Sequence, residues 1–229
     1  MKVLVYPFGT EIAFEIYRSL SKVKNIELWG GTSDYNNHGL YVYDNVIGDL
    51  QFISDTSSRE DVEHFTKQIE SYNFDFIYPA MDGCLAKFAE FRDVFSGKVI
   101  APDFGVAETT RSKSKTYSLL KDCIKVPVCY DDINKISEYP VFVKPDVGQG
   151  SVGAKKINNK EELENVLKTN NGLLVLEYLP DEEYTVDCFT NSDGELIFSC
   201  CRKRIRMRNG ISVSCDLFHD EKSMRLLKR

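Results

Sequence analysis

The sequence predicts an α/β protein, with an N-terminal doubly wound sheet followed by an α+β region that ends in antiparallel strands. Three observations predict it. Short β runs alternate with amphipathic helical runs from Lys2 to about residue 102, the pattern of parallel strands joined by crossover helices. Further on, a strand carrying a lysine in its interior, VFVKP, runs straight into a glycine-rich turn. From Tyr184 onward, strand formers are separated by TNSDG and by NG, both hairpin signals.

The elements follow in order. Lys2–Tyr6 (KVLVY) is a short strand. In TEIAFEIYRSLSK, Ile12, Ala13, Ile16, Tyr17 and Leu20 recur at helical spacing, and Thr10 is the expected N-cap. Asn25–Trp29 is a second strand, so the opening is β–α–β with a parallel pair and a right-handed crossover. Gly30–Gly39 reads as a loop, Arg59–Tyr72 as a helix, Phe74–Tyr78 as a buried strand, Cys84–Phe95 as a helix and Lys98–Ala101 as a strand. Beyond a boundary near residue 105 the texture changes. Ser112–Asp122 is a polar helix, Tyr139–Lys144 a strand with Ala154–Ile157 as its hairpin partner, Asn158–Lys168 a helix and Leu173–Leu179 a strand. YTVDCF pairs with ELIFSCC, RIRMR with ISVSCD, and HDEKSMRLLKR starts a helix. A second boundary is expected near 175.

The bulk numbers narrow the class. With 229 residues the chain holds one large or two small domains. At 42% hydrophobic and 28% charged it is globular in composition, and a net charge of −6 argues against a nucleic-acid partner. No apolar run approaches the ~20 residues needed to span a bilayer, and MKVLVYPFGTE carries too short an apolar run for a signal peptide. A cytoplasmic location is expected, with no membrane partner. Seven cysteines, at 84, 123, 129, 188, 200, 201 and 215, include no C-x-x-C pair. They read as small buried thiols rather than as a zinc site or a disulfide framework.

The chemistry concentrates at VFVKPDVGQGSVGAKKI. Glycines let a backbone approach a phosphate and turn its N–H groups inward. A P-loop would need its lysine after the loop and a helix beyond it; here Lys144 precedes the loop and a strand follows. GQGSVG matches G-x-G-x-x-G but also lacks the helix of a dinucleotide fingerprint. Two readings are left: a strand lysine with a mobile hairpin that closes over a polyphosphate, or a flexible hairpin beside a surface lysine.

Four ordered motifs add a resemblance. Lys144-Pro145 with Gly148, Gly150, Ser151 and Gly153 resembles the second lysine and glycine-rich loop of the ATP-grasp family. SKSKTYSLLKDCIKVPV resembles the family's helix with the first phosphate-binding cation, and LEYLPDEEYTVD its hinge strand. RKRIRMRNGIS resembles the basic strand and turn of members related to carbamoyl-phosphate synthase. The resemblance implies a Rossmann-like pre-ATP-grasp domain over 1–105, a small lid subdomain with a linker helix over 106–175, and an incomplete β-rich subdomain from 176 to 229. It implies ATP and Mg²⁺ as cofactors and a ligase that joins a carboxylate to an amine through an acyl phosphate. The alternative is a non-catalytic nucleotide-binding or assembly module.

Carried over residue by residue, the resemblance makes Lys113 the first cation, with Lys115 as the alternative, and Lys144 the contact to the α- and β-phosphates. Gly148, Gly150, Ser151 and Gly153 form the lid. Glu177 reaches the adenine amino group, the backbone of Tyr178 and Leu179 reads the adenine edge, and Glu183 takes the ribose hydroxyls. Arg202 and Arg204 either line the transferred phosphate as catalytic cations or belong to a solvated, edge-protecting face with Arg206 and Arg208. Asp82 sits where an open α/β sheet binds substrates, or simply closes a turn. His38, His64 and His219 carry no expected role. The family's late metal-binding carboxylates have no counterpart here, since Glu195 and Asp216 lack the setting. Metal ligands are therefore expected beyond Arg229, in a C-terminally truncated and inactive chain. A small carboxylate substrate is the expected partner, and the family allows a homodimer.

Overall fold

The computed structural model describes residues 1–148, 150–208 and 210–218. The chain divides into two compact units, Met1–Ser112 and Lys113–Arg229.

The first unit is a five-stranded sheet in the order β3-β2-β1-β4-β5, every neighbouring pair parallel. Its strands are β1 (Lys2–Tyr6), β2 (Glu27–Gly31), β3 (Asn45–Ile47), β4 (Phe76–Pro79) and β5 (Lys98–Val99). β1 lies at the centre, where both faces are covered, so its apolar run does not alternate with polar residues. Leu4 and Tyr6 point to one side, into a core with Val62, Phe65, Ile69 and Phe88; Val3 and Val5 point to the other, with Ala13, Ile16 and Leu28. Helices α2 (Arg59–Ile69) and α3 (Asp82–Glu90) thus cover one face and α1 (Glu11–Leu20) the other, the expected doubly wound arrangement.

Local chemistry sets the helix ends. The Thr10 hydroxyl accepts from the Ala13 N–H at 3.1 Å, as expected of an N-cap. Ser58 and Asp61 close a capping box on α2. Several bounds differ from the sequence expectation. β2 starts two residues later because Asn25 is left-handed, at φ 65°. It also takes in Gly30 and Gly31, which the sequence assigned to a loop; a Cβ on Gly30 would stand 2.8 Å from the Tyr43 ring, so packing asks for this glycine. The helix expected over Cys84–Phe95 starts at Asp82 and breaks at Phe91, with a 3₁₀ turn over Arg92–Val94. The three-residue β3 and a helix α4 (Phe104–Arg111) carry too little periodicity to be read in advance.

In the second unit, α5 (Lys113–Leu120) leads to an antiparallel sheet in the order β7-β6-β8. These strands are β6 (Val141–Pro145), β7 (Lys155–Ile157) and β8 (Leu173–Glu177). Helix α6 (Lys160–Thr169) packs one face: Val141, Val143, Ile157 and Val175 enclose Leu163. A second antiparallel sheet, β11-β10-β9, comprises β9 (Tyr184–Thr190), β10 (Leu196–Arg208) and β11 (Ile211–Phe218). ELIFSCC and RIRMR are one continuous 13-residue strand, so both hairpins share β10. The expected helix over HDEKSMRLLKR, with His219, lies outside the described residues. Among the described residues, no helix is long and apolar enough to cross a membrane.

The cysteine expectation holds only in part. All seven are free thiols, but only Cys84 and Cys201 are buried; Cys123, Cys129 and Cys188 are exposed and Cys200 and Cys215 intermediate. The exposed ones lie in a loop or on strands with little covering them, so apolar character alone does not bury them.

Candidate functional site

The site is built on the face of sheet β7-β6-β8 opposite α6. Strand alternation sends Val141 and Val143 into the α6 core and Phe142 and Lys144 the other way. Residues directly opposite share a face, so Lys156 and Leu176 join Phe142, and Leu174 joins Lys144. Residues 128–130 extend this sheet along β8: Tyr130 N–H donates to the Val175 carbonyl at 2.8 Å, and Cys129 bridges Leu176.

Lys144 Nζ lies 2.8 Å from the Tyr117 hydroxyl and 5.5 Å from that ring's centroid. Tyr117 stands four residues after Lys113 on α5, hence on the same helix face. Lys113 Nζ donates to the Asp146 carbonyl at 2.9 Å and to the Gly148 carbonyl at 3.3 Å, both at the foot of the glycine loop. Asp146 fixes this helix in return: its Oδ1 accepts from the Ser114 N–H at 2.7 Å, satisfying one of the first-turn donors. Lys113, Lys144 and the loop are thereby brought together. Lys115 is exposed.

The loop takes backbone shapes that side chains resist. Gly150 and Gly153 have φ of 67° and 75°, and Ser151, with a side chain, has 58°. The loop folds back on Pro145, whose Cγ would lie 3.0 Å from a Cβ on Gly153. Gly210, between β10 and β11, approaches the same loop: a Cβ there would stand 2.8 Å from the Gly150 carbonyl carbon and 2.9 Å from Ser151 N.

At the other end of β8, Glu177 Oε1 accepts from the Val128 N–H at 2.9 Å, and Glu177 N–H donates to the Val128 carbonyl at 3.0 Å. One oxygen of the expected adenine contact is thus engaged in clasping residue 128. Lys156 Nζ lies 4.6 Å above the Tyr178 ring, and Leu179 is exposed.

The basic strand is differently equipped. Arg202 forms a two-pronged pair with Asp187, Nε to Oδ2 at 2.6 Å and Nη2 to Oδ1 at 2.9 Å, and its Nη1 reaches Cys215 Sγ at 3.8 Å. The Asp187 carboxylate raises the guanidinium's already high pKa. Arg204 pairs with Glu183 and donates through Nη2 to the Gly210 carbonyl at 2.6 Å. Its Nε is buried without a partner among the described residues. The single face expected for Arg202, Arg204, Arg206 and Arg208 is not kept: register shifts between Arg204 and Arg206, and between Arg206 and Met207, interrupt the alternation.

Three residues of the site were not on the sequence-derived set: Tyr117, Asp146 and Lys156. A Lys113-to-Tyr117 step on one helix face and a Phe142-to-Lys156 hairpin register were the available signals. Asp82 opens α3, in the first unit. Among the described residues, no three His, Cys, Asp or Glu side chains gather so as to hold a metal ion. A shallow depression lined by Lys155, Asn159, Glu162 and Val166 lies on the α6 side of the sheet, away from Lys144.

Comparison with known proteins places this geometry in context. A family model described as an ATP-grasp domain matches residues 110–229, just over half of the chain. The D-alanine–D-alanine ligase of Fusobacterium nucleatum subsp. nucleatum is 30% identical over 95 residues, covering 41% of this chain and 33% of that one. The Campylobacter jejuni biotin carboxylase, solved as a β,γ-ATP complex, superimposes with a TM-score of 0.72 at 19% identity, over 99% of this chain and 57% of that one. The biotin carboxylase domain dimer of Hydrogenobacter thermophilus 2-oxoglutarate carboxylase, solved with MgADP, ADP and bicarbonate, gives 0.66 at 19% identity, over 92% of this chain and 51% of that one. The chain thus spans about a third of the curated relative's length and about half of these solved chains.

Proposed function

The chain belongs to the ATP-grasp family, and from that premise we propose that it binds ATP on the Lys144 face of sheet β7-β6-β8, as part of an ATP-dependent carboxylate–amine ligase. The observation that carries this reading is the meeting of Lys113, Lys144 and the left-handed glycine loop. An ammonium is a compact point charge suited to polyphosphate, and loop N–H groups add donors without side-chain cost. The relatives, a ligase and two nucleotide-bound carboxylase structures, support the same class.

In this assignment Lys144 neutralises the α- and β-phosphates and Lys113 sits at the loop's foot. Gly148, Gly150, Ser151 and Gly153 close over the phosphates and exclude water. Glu177 keeps Val128 with one oxygen and offers the other to the adenine amino group, beside the Tyr178 and Leu179 backbone. Glu183 shares its carboxylate between Arg204 and the ribose hydroxyls. Of the two arginines, Arg204 suits the transferred phosphate better, since its Gly210 contact adjoins the loop. Residues 106–175 would act as the lid subdomain and 176–229 as the start of the β-rich one, in an arrangement nearest the carbamoyl-phosphate synthase branch. Any Mg²⁺ brought by the nucleotide would be held by its phosphates with one or two carboxylates beside them, and would spread phosphate charge.

The reaction class is a two-step ligation. A substrate carboxylate oxygen attacks the γ-phosphorus and the bond to the ADP oxygen breaks, leaving an acyl phosphate. An amine nitrogen then attacks the acyl carbon, loses a proton, and inorganic phosphate departs. The protein's contribution is positioning and charge stabilisation. The compartment assigned is cytoplasmic, and a homodimer, as in the Hydrogenobacter thermophilus carboxylase domain, is the assembly to test.

The test is calorimetric titration of ATP·Mg²⁺ into the chain and into Lys144→Ala. Loss of binding in the variant is expected; equal affinity would overturn the reading. Release of ADP that depends on an added carboxylate would separate a ligase from a binding module.

A further inference from the structure

We propose that Tyr117 is a third phosphate-binding residue, whose hydroxyl orients Lys144 and donates its own hydrogen to the same polyphosphate. The proposal rests on the nucleotide reading above and adds a binding residue that reading did not contain.

The argument is one of donors and acceptors. A lysine ammonium donates three hydrogens and accepts none, whereas a phenol does both. At 2.8 Å, the contact between Lys144 Nζ and Tyr117 Oη therefore has the nitrogen donating and the oxygen accepting. The phenol hydrogen must point elsewhere, and among the described residues no acceptor takes it. Two further Lys144 hydrogens likewise lack a carboxylate: no acidic side chain pairs with this lysine among the described residues. The result is a cluster of unspent donors around one positive charge, on a half-buried strand position beside a glycine loop.

Chain geometry makes the cluster deliberate rather than incidental. Lys113 and Tyr117 lie one helical turn apart, and Asp146 pins the start of that turn through the Ser114 N–H. Lys113 then reaches the Gly148 carbonyl while Tyr117 reaches Lys144. The ring also lies within cation–π range of the ammonium, at 5.5 Å. Ring and hydroxyl together restrict a flexible four-carbon side chain to one direction, which lowers the entropy lost when phosphate binds.

Tyr117→Phe is the discriminating variant, because it keeps the ring and removes only the hydroxyl. ATP and adenosine are titrated against the parent, Tyr117→Phe and Lys144→Ala, with thermal melting as a check on folding. The expected result for Tyr117→Phe is about tenfold weaker ATP binding, equivalent to about 1.4 kcal/mol, with the affinity for phosphate-free adenosine changed less than about twofold. Tyr117→Phe binding ATP as the parent does, while Lys144→Ala loses it, would overturn the role of Tyr117 and leave the nucleotide reading standing. Equal weakening of ATP and adenosine would assign Tyr117 a structural role and also overturn the proposal. Unchanged ATP binding in Lys144→Ala would instead remove the nucleotide reading itself.

Discussion

Two cationic regions of the second unit differ in how their charge is answered. Lys144 meets a phenol and an aromatic ring, both uncharged. Arg202 and Arg204 meet Asp187 and Glu183, one carboxylate each. A cation without a counter-ion is kept ready for an anion from outside. A paired one must first give up a partner, at a cost that rises as the pair is buried. Under the proposed reading, this contrast favours Lys144 over the paired arginines as the phosphate contact.

The sharpest way to break this contrast is to remove the charge at Lys144. Lys144→Ala should weaken ATP binding about 10- to 100-fold, since hydrogen bonds to charged groups are worth roughly 1.5–3 kcal/mol. It should barely change the melting temperature, because no carboxylate loses its partner. A large stability loss with intact binding would reverse the comparison.

Asp146 comes next, because it serves the lysine region through the backbone. Asp146→Ala leaves the Ser114 N–H without its acceptor and should cost about 1 kcal/mol, as lost helix-start acceptors do. Weaker ATP binding, by a factor of several, should accompany it as Lys113 loses its frame. Thermal melting and calorimetry on one preparation would check both. Binding lost without any drop in stability would show that Asp146 acts on the ligand directly.

Much of this was legible before any coordinates. The doubly wound sheet followed from a regular exchange of β and helical runs, and the β6–β7 hairpin from one lysine-bearing strand and its glycines. The lysine-loop pairing was legible because both parts are contiguous in sequence. Tyr117 and Asp146 were not, since each acts across a gap of about thirty residues and sequence records no distances. The arginine face failed for a different reason: period two predicts a face only while the register holds, and it shifts after Arg204. Which carboxylate answers which arginine also depends on pairing β9 with β10, a fact of register rather than composition.

Removal of Arg202 should then give the opposite signature to Lys144. Arg202→Met leaves Asp187 without its two-pronged partner, yet both side chains are partly exposed, at 30% and 44%. Solvent and salt screen such a pair, so the expected loss is about 1 kcal/mol or less, with ATP affinity unchanged. Melting curves at low and high salt, beside one ATP titration, would test it. An ATP defect as large as that of Lys144→Ala would return Arg202 to the phosphate site and end the distinction.

The smallest effect belongs to the ion pair of Lys203, on the same strand, with Glu182, and it reads as a pH dependence. Glu182 lies below its ordinary pKa, held there first by the Lys203 ammonium and then by the Tyr184 hydroxyl. Lys203 lies above its ordinary pKa, held mainly by Glu182. For the depressed carboxylate, the stabilisation is present above its unfolded pKa and is lost as pH falls through the lower folded value. For the raised ammonium, it is present below the unfolded pKa and is lost as pH rises through the higher folded value. The pair thus contributes on a plateau through neutral pH, bounded on both sides. Glu182→Gln should lower the melting temperature slightly and evenly across that plateau, and the difference from the parent should vanish in acid, where Glu182 itself becomes neutral. Both groups face solvent, so added salt should shrink the difference further. A gap between parent and variant that persists in acid would mean that Glu182 acts by packing, and that charge pairing is not what organises the arginine strand.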